Sequence, residues 1–181
     1  MEFRQFTPEL EVRSVAERLL CGVIVPFGVD QQIDVGLTER FQRGAFTHQL
    51  RAAHRIRLLD SHSNTAGCTP LGRAVELRED PKGLWGEFRV VEGNIGDHWL
   101  ALAREGVMRE WSIGFQPNQT RNDGRTRVYT RATVFETALV PEGAYGALAQ
   151  VAQVRAALPV LTRDLLAARM PKPWPVGVGT R

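Results

Sequence analysis

The sequence predicts an α+β fold: an antiparallel β-barrel or sandwich with two or three peripheral helices. Three observations lead there. Short apolar, β-branched runs punctuated by glycine and proline recur from residue 18 to residue 140. Two of these runs flank the turn sequence "DPKG". Only a few segments place apolar residues at helical spacing, and they lie between or after the strands.

"RLLCGVIVPF" (18–27) is an apolar strand stopped by Pro26. In "TERFQRGAFTHQLRAA" (38–53), Phe46, Leu50 and Ala53 recur at helical intervals, with Gly44 just ahead of the helix. "HRIRLLDSH" (54–62) alternates, so His54, Ile56, Leu58, Asp60 and His62 share a face. "LGRAVELRED" (71–80) and "GLWGEFRVVEG" (83–93) read as a hairpin across "DPKG". A helix follows at 97–105, capped by Asp97, with Trp99, Leu102 and Ala103 as its apolar stripe and Gly106 as its stop. "EWSIGF" (110–115) is a strand with Trp111, Ile113 and Phe115 on one face and Glu110, Ser112 and Gly114 on the other. Gly114 would leave room there for a substrate backbone. "QTRNDGRT" (119–126) reads as a polar connection and "RVYTRATVFETALV" (127–140) as a long strand. "AYGALAQVAQVRAAL" and "TRDLLAARM" read as helical. The expected division is a domain over 1–158, then a helix and a disordered Pro/Gly-rich tail over 159–181.

A chain of 181 residues, 43% hydrophobic and 24% charged, is one domain with a real core. No apolar run approaches the ~18 residues of a membrane span, and "MEFRQFTPELEV" has no secretory pattern. The net charge is +3, and of 23 basic residues only Lys82 and Lys172 are lysines. The arginines are scattered, which argues against a dedicated nucleic-acid site. Cys21 and Cys68 are too few for a disulfide framework and lack metal spacing, which favours a reducing compartment.

His48 and His98 read as exposed helix residues. A zinc site from His48, His54 and His62 lacks the usual ligand motifs. His62 ends an apolar strand and opens a polar loop, a place where a rigid element holds a functional imidazole. Glu136 shares the apolar row of Val128, Ala132, Val134, Ala138 and Val140. A carboxylate in such a row needs a cationic or N–H partner, either an arginine or an imidazole. Ser112, His62 and Glu136 would then be nucleophile, base and orienting carboxylate on three strands. There is no G-x-S-x-G elbow, which counts against an α/β-hydrolase.

Across most of residues 20–145 the chain resembles the prohead (capsid maturation) proteases of tailed phages, a family related in fold to herpesvirus assemblins. The resemblance rests on "GVIVPFG", "ERFQRGAF", "LLDSH", "TPLGRAVELREDPKGLWGEFRV", "EWSIGF" and "FETALVPEGAY", in that order. It implies an assemblin-like barrel and a serine endopeptidase that cuts the major capsid protein and scaffolding segments inside the procapsid, in the host bacterium's cytoplasm. It carries the base over to His62 and the nucleophile to Ser112. Assemblins use a second histidine where Glu136 stands. Three departures accompany the match: Ser63 replaces an aspartate common after the histidine, "ETALV" replaces "EVSLV", and the assemblin arginine pair has no counterpart near Ala144–Tyr145. The oxyanion donors are therefore unassigned, with backbone N–H groups the general expectation. No cofactor or metal is called for. By analogy a homodimer could form through the helical segment 147–170, although packing on the protein's own barrel would serve as well. The competing function is a non-catalytic procapsid assembly or scaffold-binding module on the same fold.

Overall fold

Residues 17–62 and 68–155 are described in a computed structural model of the chain. Their elements, in order, are β1 (Leu19–Pro26), β2 (Gln31–Asp34), β3 (Leu37–Phe41), a 3-10 segment (Thr47–Arg55), β4 (Arg57–Leu59), β5 (Pro70–Glu79) and β6 (Gly83–Val90). Then come α1 (Asn94–Arg104), β7 (Glu110–Asp123), β8 (Thr126–Val140), a 3-10 turn (Gly146–Leu148) and β9 (Val151–Arg155). The nine strands make one sheet ordered β2-β3-β8-β4-β5-β6-β1-β9, with β7 on the other edge of β8.

The hairpin β5–β6 forms where the turn chemistry places it. Asp80 Oδ1 accepts the N–H groups of Lys82 and Gly83 at 2.8 and 3.1 Å, closing the bend. β8 organises the site. β3 runs parallel to it along 126–129 and β4 parallel along 136–138. In the gap between them, Ala132 N–H donates to the Ala45 carbonyl. There too the buried Gln49 side chain bonds both the N–H and the C=O of Val134, at 2.8 and 3.1 Å. The 3-10 segment thus completes the edge where no strand reaches, leaving no buried backbone group of Val134 orphaned.

The sheet is not the closed barrel that the sequence predicts. Between β7 and the start of β9 there is an isolated bridge, Glu110 with Gln150. It is flanked by Trp111 N–H to Ala149 O and Val151 N–H to Arg109 O, both 2.8 Å. Past Ser112 the strand leaves this edge and runs out with β8 as a long ribbon, exposed from Gln116 on. The segment 119–126, expected as a connection, is the outer part of that ribbon, which turns at Gly124.

Three local expectations are corrected. The first is that 151–155 is strand, not helix. The exposed edge of β1 takes up Val151–Arg155 as β9, and this tertiary pairing overrides a composition that suits either state. The residues expected from 156 on, including the C-terminal helix and tail, lie outside the described residues. The second concerns α1, which starts at Asn94 after Gly93 rather than at an Asp97 cap. Asp97 sits in its first turn, paired with Arg18 at 2.6 Å. The third is that His54 belongs to the 3-10 segment, so the strand before His62 is only Arg57–Leu59.

The core joins Leu20, Ile24, Phe41, Phe46, Leu58, Phe88, Trp111 and Leu139. From the serine strand, Trp111 packs on Phe88 at 5.1 Å. Phe115 meets Phe41 and Tyr129 edge-on at 5.0 and 5.1 Å. Such aromatic contacts fix the strand on both sides of Ser112.

Candidate active site

β7, β8 and β4 lie side by side, with Ser112 opposite Ala138, Gly114 opposite Glu136, and Arg57 opposite Glu136 on the far edge. One irregularity decides which way Glu136 points. Gly114 pairs with Glu136 but Phe115 pairs with Val134, so Phe135 is an extra residue in β8. A bulge of this kind breaks the two-residue period and re-aims the side chains beyond it. Val134 joins the core with Phe115, whereas Glu136 leaves that row for the face of Ser112 and Gly114. The expected single row of Val134 and Glu136 is thereby corrected.

His62 lies three residues past β4. Its Nε2 is 2.8 Å from Ser112 Oγ and its Nδ1 is 3.1 Å from Glu136 Oε1. The Glu136 side chain is 8% exposed and that of His62 35%. The carboxylate is therefore held away from water, while the ring keeps one side open. The three residues singled out in the sequence thus come together in one hydrogen-bonded chain. With Nδ1–H donating to the carboxylate, Nε2 is left as an acceptor for the serine hydroxyl. Thr137 Oγ1 donates to the Ser112 carbonyl at 3.0 Å, tying the serine backbone to β8.

Gly114 has a role that the sequence did not suggest. A Cβ there would lie 2.5 Å from Glu136 Cγ and 2.8 Å from both Cδ and Oε1. The missing side chain makes room for the carboxylate.

Sequence reasoning missed several supporting residues. Asp60 closes the neck of the loop that carries His62. Its Oδ1 accepts Thr69 N–H at 2.7 Å and Ser61 Oγ–H at 3.0 Å, while its own N–H donates to Thr69 O. Burial alone would raise the Asp60 carboxyl, but these hydrogen bonds outweigh it and hold the group below its ordinary value. Glu110, two residues before the serine and buried, accepts Gly143 N–H at 2.7 Å and the Gln150 amide at 3.4 Å. It pins the turn after β8 to the start of β7. Tyr145, in the same turn, donates its hydroxyl to the buried Glu39 at 3.0 Å. Burial and the Glu39 charge push that hydroxyl far above its usual range, so it stays protonated. The signal available in the sequence was Glu110 itself, an acid sharing a face with Ser112 beside an apolar tryptophan.

Of the other histidines, His48 is exposed and hydrogen-bonds Thr133 at 3.0 Å, and burial with the nearby Arg131 lowers its pKa. His54 and His98 are exposed. Among the described residues no three His, Cys, Asp or Glu side chains are placed to hold a metal ion. No helix among them is long and apolar enough to cross a membrane.

A serine, an imidazole and a buried carboxylate joined in this order form the arrangement by which serine hydrolases activate a hydroxyl. The chain belongs to the caudovirus prohead serine protease family, whose sequence profile matches residues 8–158. No curated protein and no solved structure matches it.

Proposed function

We propose that this chain is the serine endopeptidase of capsid maturation, with Ser112 as nucleophile, His62 as general base and Glu136 as the carboxylate that orients the imidazole. The observation that carries this reading is the unbroken pair of hydrogen bonds, 2.8 Å from Ser112 Oγ to His62 Nε2 and 3.1 Å from His62 Nδ1 to Glu136 Oε1. Ser112 Oγ attacks the scissile carbonyl carbon as its proton passes to His62 Nε2. Glu136 balances the imidazolium charge. When the C–N bond breaks, Nε2 returns the proton to the leaving amine. A water then hydrolyses the acyl-enzyme through the same base. The open side of His62 lets the amine leave and the water enter.

In this reading the substrates are the major capsid protein and scaffolding segments, and the enzyme works inside the procapsid within the host cell. The test is co-expression with the neighbouring capsid gene, with cleavage read on a gel. Ser112→Ala and His62→Ala should each lower kcat by roughly four to six orders of magnitude, leaving the thermal transition in place. Undiminished cleavage by Ser112→Ala would remove the assignment.

A further inference from the structure

The face of the sheet that carries Glu136 continues away from Ser112 as a row of arginines. Arg57 on β4 stands in register with Glu136, Arg73 on β5 with Arg57, and Arg89 on β6 with Arg73. Residues in direct register share a face, so the three guanidinium groups project from adjacent strands on the same side. All three are exposed, and none makes a hydrogen bond or ion pair among the described residues. Some arginines elsewhere do find partners, while others, such as Arg51 and Arg131, are exposed like these three. Arg18, Arg40, Arg78, Arg121 and Arg155 each have a carboxylate within 4.0 Å. Like charges set directly across a ladder repel, so the row costs the fold stability instead of adding to it. A cavity of about 370 Å³ opens against Arg73 and Arg89, walled also by Pro70, Gly72, Arg18 and Glu92.

We propose that this row is a subsite for acidic residues of the polypeptide substrate. The inference rests on the protease reading above and deepens it. Ladder and rise spacings put the Cα of Arg57 roughly 12 Å from that of Ser112, and that of Arg89 roughly 20 Å away. An extended chain with its scissile bond at Ser112 covers that span in about four to six residues. Carboxylates at those positions would meet three bidentate donors, none of which has an internal carboxylate within ion-pair distance among the described residues, although Glu136 stands opposite Arg57 and Glu92 lines the cavity. Continuity with the relay favours a polypeptide over a nucleic acid, since Ser112, Glu136 and the three arginines lie along one face of the sheet.

The test uses fluorescein-labelled hexaglutamate, followed by anisotropy at low salt, with the full chain and with the Arg73→Gln/Arg89→Gln variant. The expected result is saturable binding, weakened about tenfold in the variant, as two exposed charge pairs allow, and lost at high salt. Ser112→Ala should bind as the unaltered protein does. In the co-expression assay the arginine variant should cleave capsid protein more slowly. Its thermal transition should be unchanged or higher, because a repulsion has been removed. Hexaglutamate binding without any proteolysis would leave the subsite standing and sink the protease reading. Proteolysis with equal hexaglutamate binding by variant and parent would overturn the subsite. Tighter, arginine-dependent binding of a labelled oligothymidylate of equal charge would overturn it in favour of nucleic acid.

Discussion

Replacing Gly114 by alanine perturbs the relay without touching any of its three members. The new methyl would meet Glu136 Cγ at 2.5 Å and Oε1 at 2.8 Å, whereas ordinary contact begins near 3.4 Å. The Glu136 side chain must therefore give way by about 1 Å, and a bond that starts at 3.1 Å has no such margin. Loss of the carboxylate's hold frees the imidazole to turn and to take the wrong tautomer. In serine proteases, removing that hold costs up to about 10⁴ in kcat, and a 1 Å misplacement costs roughly 10². In Gly114→Ala, kcat should therefore fall about 10²–10³-fold with KM nearly unchanged. Overpacking should cost about 1–3 kcal/mol in stability. The assay is steady-state cleavage of a purified capsid substrate, paired with a thermal melt. A raised KM at constant kcat would mean that the glycine clears space for substrate. Unaltered kinetics would refute the link from strand register to carboxylate placement.

Two further substitutions probe the supports. Asp60→Asn should loosen the neck that delivers His62 and lower kcat. The folded pKa of Asp60 is depressed, so its stabilising effect is present above its unfolded value near ~4 and is lost as pH falls through the lower folded value. The melting difference between parent and variant should accordingly be full at neutral pH and close on acidification, and a pH-independent difference would count against the charge. Glu110→Ala leaves the half-buried Gly143 N–H without its acceptor and should cost about 1 kcal/mol, read as a denaturant midpoint. A neutral outcome would show that the turn after β8 holds its place by Tyr145 and Glu39 alone.

Much of the strand pattern was legible because local chemistry and burial agree. Pro26 ends β1, the "DPKG" turn makes one hairpin, and Gly106 comes just past the Glu105 cap of α1. The need of Glu136 for a partner was reached from a row that the bulge breaks; what makes the partner necessary is that the carboxylate is buried all the same. What stayed hidden depends on register. The bulge at Phe135 has no signature in "TVFETAL", yet it moves Glu136 from the row of Val134 to the face of Ser112. "QVAQVR", expected as helix, is drawn into a strand by the free edge of β1. Gly114 could be given a neighbour only once β8 was in place, and the arginines at 57, 73 and 89 look scattered until the ladders align them. The openness of the sheet follows likewise from where β7 leaves β9, a matter of tertiary path.

Covalent labelling measures directly whether Ser112 is an activated hydroxyl. Incubation with a fluorophosphonate, digestion and mass spectrometry should locate one adduct on Ser112, formed far more slowly in His62→Ala and Glu136→Gln. An unlabelled Ser112 in the folded protein, or labelling that ignores both substitutions, would contradict that activation.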